Sequence, residues 1–237
     1  MPFFRRTNMR PPVFPEQIVP WGRTFREYEL MFSLNAADLA GGVLDCGGGP
    51  SGFTAEMSAR GHRAVSVDPL YSHPGSEIRD RFDTIAGSMI EVVRASPDTW
   101  NWSFHRDPEG LLANRRAALE SFLADYEQGL RDRRYIVGQL PSLPFDSGSF
   151  GLALCSHLLF LYSDQLTEDF HVHSVRELCR VAPEVRIFPL LTLEKKISPH
   201  LAAVRSALES DGFTTQIVTV NYEFQPGGNQ MLRIFRK

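Results

Sequence analysis
The chain has 237 residues, 43% of them hydrophobic, and a formal net charge of −3. That length holds one large α/β domain, or one domain with a cap, and the slight acidity disfavours nucleic acid or an anionic membrane as partner. Three cysteines, at 46, 155 and 179, make no disulfide framework and fit a reducing, cytoplasmic setting. No run approaches a membrane span, and Met1–Arg10 carries arginines with no apolar stretch behind it, so neither a membrane segment nor a leader is expected.

Residues 1–22 hold five prolines and predict an extended arm. Thr24 to Phe32 predicts an amphipathic helix, with Phe25, Tyr28 and Phe32 near helical spacing and a capping box from Thr24 and Glu27. This helix either packs on the sheet edge or brings Arg23 and Tyr28 over a ligand.

Val43 to Gly52 is the stretch around which the rest is arranged. A short apolar strand ends at Asp45, a glycine-rich turn follows, and a helix runs from Gly52 to a stop at Gly61. Gly47, Gly49 and Gly52 have G-x-G-x-x-G spacing, which lets a ligand approach the main chain. A second strand, Arg63 to Asp68, ends in an acid 21 positions after Gly47, where a ribose-binding carboxylate sits in a nucleotide-type βαβ unit.

Between Tyr71 and Arg134 the chain is longer than a compact α/β crossover needs. Helices are predicted over 77–94 and 107–131, with an aromatic loop at Trp100–His105 between them. Residues 71–134 read as a helical insertion, either a passive elaboration or a cap over the crevice. Arg115, Arg116, Arg131, Arg133 and Arg134 read as a solvated face. Strands follow at Tyr135 and at Phe150–Cys155, then a helix over 164–181, a strand over 184–191 and a helix over 198–210. Phe213–Phe224 and Gln230–Arg236 predict an antiparallel hairpin through Gln225-Pro-Gly-Gly-Asn.

These residues resemble a class I S-adenosylmethionine-dependent methyltransferase. The resemblance covers roughly residues 40–70 and 135–237. It is carried by Val43-Leu-Asp-Cys-Gly-Gly-Gly-Pro-Ser-Gly, Val65-Ser-Val-Asp68, Leu143-Pro-Phe-Asp-Ser-Gly-Ser-Phe and the terminal hairpin. It implies a Rossmann-like α/β fold: a seven-stranded, mostly parallel sheet with a terminal antiparallel hairpin and the helical insertion. The division is then residues 1–39, arm and helix, and 40–237, methyltransferase domain. It implies S-adenosylmethionine as cofactor and no metal. Asp45 would lie near the methionine ammonium. Gly47, Gly49 and Ser156 would border the cofactor, Asp68 would accept from both ribose hydroxyls, and Pro69 and Leu70 would flank the adenine. Gly138-Gln139-Leu140 stands where many relatives have Gly-Asp-Ala; Gln139 and Leu140 would still meet the adenine. Gly151 stands where relatives often carry an acid. No Asn-Pro-Pro-Tyr signature of nucleic-acid amino methylation is present, which leaves a small-molecule acceptor.

Methyl transfer from a sulfonium is an in-line displacement that needs alignment, dryness and sometimes a base. His157, just past the fourth strand, is the first candidate base and Tyr162 the second; His157 could instead cap the next helix. His171 and His173 are two apart and do not share a helix face, so no metal pair is expected. Two other functions fit part of the pattern. A nicotinamide-dependent oxidoreductase shares the glycine and Asp68 fingerprint, although Pro50 removes an amide where a pyrophosphate would be cradled. A non-catalytic S-adenosylmethionine-binding protein would keep the fold and use the insertion to contact a partner.

Overall fold
The computed structural model describes residues 21–236, so most of the predicted N-terminal arm lies outside the described residues. β1 (Val43–Cys46), β2 (Ala64–Val67), β3 (Tyr135–Ile136), β4 (Leu152–Ser156), β5 (Glu184–Phe188), β6 (Thr214–Thr219) and β7 (Gln230–Phe235) form one sheet. Its order is β3-β2-β1-β4-β5-β7-β6. Neighbours from β3 to β5 pair in parallel, and β7 is antiparallel to both β5 and β6. The predicted seven-stranded fold is the observed one. The chain leaves β1 toward β2 and β3, then returns to β4 on the other side of β1. That reversal opens a crevice at the strands' carboxyl ends.

β1 and β4 are buried at every position, as strands covered on both faces must be. Their side chains alternate between two cores. Leu44, Ala153 and Cys155 face the layer holding Val175, Leu178 and Val204, supplied by α6 (Glu168–Val181) and α7 (Leu201–Ser210). Val43, Leu152 and Leu154 face Phe25, Tyr28 and Phe53, supplied by α1 (Phe25–Met31) and α3 (Phe53–Ala59), between which lies the short α2 (Ala36–Ala40). The Thr24–Glu27 capping box forms as predicted. Gly151, in the place of the expected acid, is fixed by packing: a Cβ there would stand 3.1 Å from the Gly41 carbonyl oxygen.

The predicted insertion divides in two. α5 (Pro108–Arg131) packs on α3 and β3, whereas α4 (Gly75–Ala95) packs on α5. Phe122 and Tyr126 of α5 are buried with Tyr71 and Tyr135 in one aromatic cluster. α5 is therefore the ordinary crossover helix between β2 and β3, and the surplus is α4 with the loop at 96–107. Arg115 is the second correction. It is 2% exposed, because Glu27 of α1 meets it inside. Two element bounds also shift. α6 starts at Glu168, capped by Thr167, and β6 ends at Thr219, so residues 220–229 form a long link in place of a tight hairpin turn.

Candidate active site
The glycine turn after β1 takes its shape from what lies against it. Gly47 has φ +70°, a region that favours glycine, and a Cβ on it would stand 2.7 Å from Leu158 Cδ2. Gly48, which the spacing rule passes over, is the more tightly constrained. A Cβ there would stand 2.3 Å from Asp45 Oδ2 and 2.2 Å from Ser66 Oγ.

Beside this turn a cavity of about 480 Å³ opens at the carboxyl ends of β1, β2 and β4, within the range of small-molecule sites. Gly47, Gly49, Asp68, Pro69, Leu70, Gln139, Leu140, Ser156, His157 and Tyr162 all line it. Four segments far apart in sequence therefore converge. The remaining wall is largely apolar: Met89, Val92 and Val93 of α4, Trp100, Leu161, Phe188, Leu193 and Phe224.

Asp68 sits half-buried in the wall. Its Oδ1 accepts from the Leu70 amide (2.8 Å) and its Oδ2 from the Gly49 amide (3.0 Å). A carboxylate has about four acceptor positions, so each oxygen keeps capacity. Burial raises its pKa to about 6, against the pull of those two amides.

Asp45 is not where the sequence places it. It is 0% exposed and outside the cavity wall. Tyr28 donates to its Oδ1 (2.9 Å), Ser66 donates to its Oδ2 (3.2 Å), and the Tyr71 hydroxyl joins Ser66 to the Gly49 carbonyl. Burial lifts its pKa to about 7. Asp45 braces the turn from behind. The reason is steric: Gly48 lies over the carboxylate, and Tyr28, a cavity-lining residue, stands on its other side.

His157 holds φ +54°, uncommon for a non-glycine residue. The Ser156 hydroxyl is 2.9 Å from its Nδ1, and its amide donates to the Phe188 carbonyl (2.7 Å). Burial, with Arg23 and Arg115 nearby, holds its pKa well below the usual imidazole range. The ring is therefore neutral, and the same burial and cations disfavour its protonated form. His171, by contrast, is structural: its Nε2 accepts from the Phe160 amide (3.1 Å).

A buried polar network that sequence reading missed borders the cavity. Arg115 Nη1 donates to both Glu27 oxygens (2.8 and 2.9 Å), Tyr222 donates to Glu27 Oε1 (2.9 Å), and His105 Nε2 lies 3.1 Å from the Tyr222 hydroxyl. Burial pushes the Glu27 carboxyl up, but Arg115 and His105 outweigh it and hold it below its ordinary value. Burial and Arg115 push His105 down to about 4. The network ties α1, α5, the aromatic loop and the 220–229 link into one wall. Its one sequence signal was the capping glutamate Glu27.

Among the described residues no group of three or more His, Cys, Asp or Glu is placed to hold a metal. No helix there is long and apolar enough to cross a membrane.

No family model matches the chain. Among solved structures it is similar to magnesium protoporphyrin IX methyltransferase from Synechocystis PCC 6803 with bound S-adenosylmethionine. Identity there is 13%, over 87% of this chain and 74% of that one, at a TM-score of 0.45. It is also similar to the mitomycin 7-O-methyltransferase MmcR, with 13% identity over 90% of this chain and 54% of that one, at a TM-score of 0.49. In sequence it is 31% identical over 216 residues to an uncharacterized protein of Methanocaldococcus jannaschii, covering 91% of this chain and 95% of that protein. The strand order is that of the class I S-adenosylmethionine-dependent methyltransferase fold, and by its 31% identity over nearly the whole of both chains the protein belongs to the family of the Methanocaldococcus jannaschii protein.

Proposed function
We propose that this protein binds S-adenosylmethionine and transfers its methyl group to a small-molecule acceptor. The observation that carries the reading is Asp68: a carboxylate at the tip of β2, in the wall of the cavity and locked to the glycine turn through Gly49. It presents acceptor capacity to a ribose, and charge strengthens such bonds. The residues present fit the cofactor on two further counts. The turn has no side chain at 47, 48 or 49 to fill the space, and the Arg23 Nε is buried without a partner in the same wall. Gln139 and Leu140 would meet the adenine from one side, with Pro69 and Leu70 on the other, and Ser156 would border the methionine portion. A nicotinamide dinucleotide fits less well, because Pro50 has no amide to give a pyrophosphate.

When bound, the cofactor supplies a methyl group made electrophilic by positive sulfur. The protein aligns the acceptor and keeps water out. The apolar wall from α4, Trp100, Phe188 and Phe224 does both. His157, neutral and held in place by Ser156 and Phe188, takes the acceptor's proton if the attacking atom is a hydroxyl or an amine. Tyr162 is the alternative. The domain division proposed is the methyltransferase fold from residue 40 onward, with α1 packed on it.

Calorimetry with S-adenosylhomocysteine and with NAD tests the reading. The nucleoside thioether is expected to bind and NAD is not. Asp68→Ala should weaken the former by about 10-fold or more, on the order of 1.5–3 kcal/mol for a charged hydrogen bond. An unchanged dissociation constant in that variant overturns the assignment. Formation of S-adenosylhomocysteine with candidate acceptors then separates an enzyme from a binding protein.

A further inference from the structure
Arg23 lines the cavity and, among the described residues, has no ion-pair partner. It enters from the segment just before α1, and that segment lies flat on the glycine turn. A Cβ on Gly22 would stand 1.9 Å from the Pro50 carbonyl oxygen. The Arg23 carbonyl accepts from the Gly52 amide (3.0 Å) and the Ser51 hydroxyl (3.2 Å), and Arg115 Nη1 lies 3.3 Å from the Gly22 carbonyl. The guanidinium is thus fixed at the head of the turn and lines the cavity.

Its surroundings are hostile to an unpaired cation. Burial and the neighbouring Arg115 both act to lower its pKa. The acids that could answer it are already committed. Glu27 serves Arg115, Tyr222 and the Thr24 cap. Asp45 serves Tyr28 and Ser66, and Asp68 serves two amides. Among the described residues Arg23 makes no ion pair. Its Nη1 donates to the Trp21 carbonyl (2.7 Å), and the Nε is buried with no partner. That leaves the Nε–Nη2 edge, the edge with which Arg60 grips Glu56 and Arg233 grips Glu184 in this same molecule. This edge matches the two oxygens of a planar carboxylate. Arg23 is a monocation whose guanidinium edge has no acid on it, which suits a monoanionic carboxylate.

We propose that Arg23 is a carboxylate-binding residue of the cavity, its ligand a monocarboxylate held by the Nε–Nη2 edge. The inference rests on the cofactor reading above, and two sources share the chemistry: the amino-acid tail of the cofactor, or an acceptor bearing a carboxylate.

Calorimetry on the native protein, Arg23→Gln and Arg23→Lys separates them. The probes are S-adenosylhomocysteine and 5′-methylthioadenosine, which lacks the amino-acid tail. If the tail is the ligand, Arg23→Gln weakens S-adenosylhomocysteine by about 10-fold or more and leaves 5′-methylthioadenosine within about twofold, while Arg23→Lys recovers part of the loss. If the acceptor is the ligand, both nucleosides hold. In that case the S-adenosylhomocysteine-loaded native protein binds 1-naphthoate over 1-naphthamide, and Arg23→Gln loses the preference. Unchanged binding of all four probes in Arg23→Gln overturns the proposal. So does a parallel loss of both nucleosides in both variants, which marks a structural role. If the native protein binds neither nucleoside, the cofactor reading itself falls and takes this inference with it; native binding with an indifferent Arg23→Gln removes the Arg23 assignment alone.

Discussion

Two aspartates at neighbouring strand tips have been given opposite tasks by their surroundings. Asp68 keeps lone pairs toward the cavity and must be ionised to accept from a ribose. With its pKa near 6, cofactor affinity should hold above pH 7 and fall as pH drops through 6, by up to about tenfold per unit. Asp68→Asn should flatten that profile in a calorimetric titration from pH 5 to 8. Asp45 is a buried carboxyl braced by hydroxyls, with its pKa raised to about 7. A carboxyl whose folded pKa lies above its unfolded value stabilises the protein at low pH, and that stability is lost as pH rises through the folded pKa. Asp45→Asn removes the charge and keeps the shape. It should raise the melting temperature of the ligand-free protein at pH 8.5 by on the order of 10 °C and at pH 5 by only about a third as much. A shift of equal size at both pH values would show that ionisation plays no part.

The elements around the cavity are held by the charge pair between α1 and α5. Glu27 and Arg115 are 0% and 2% exposed, so neither is screened by water, and removing one partner strands the other. Arg115→Met should cost about 3–5 kcal/mol, read from urea denaturation. Arg116→Met, one position along on the exposed face of α5, should cost under about 0.5 kcal/mol. The contrast explains why the arginine-rich stretch misled: Arg115 and Arg116 are adjacent and alike in sequence, and what separates them is Glu27, 88 residues from Arg115. α5 was legible as a helix because its apolar residues recur at helical spacing. Its status as the crossover was not, because that depends on Phe122 and Tyr126 finding Tyr135 on β3.

At the scale of the whole molecule, ligand and fold are one equilibrium. A cofactor that binds the folded chain alone adds about 2.7 kcal/mol of stability at a hundred times its dissociation constant. For a chain of this length that is roughly a 5–10 °C rise in melting temperature. S-adenosylhomocysteine should produce that rise in a thermal scan and NAD should not; equal shifts would return the oxidoreductase reading to contention. The apolar wall contributed by α4, Trp100 and Phe224 has no counterpart in the sequence motifs. Trp100 stacks on Phe224 at 4.7 Å between ring centroids, across more than a hundred residues of chain. No spacing rule could pair them.

The sequence by itself determined what is written within a few residues. The glycine turn, the acid ending β2, the capping box of Thr24 and Glu27, and the alternation that buries β1 and β4 all follow from short-range sterics and hydrogen bonding. The tertiary structure alone decided which polar groups face the cavity. Asp45 and Asp68 are both acids near the end of an apolar strand, but Asp45 lies within β1 opposite Ser66 and Asp68 just past β2; Tyr28 and Ser66 take the first inside and the cavity takes the second. A buried charge is placed by its partners, and here those partners come from elements far along the chain, where local pattern has no reach.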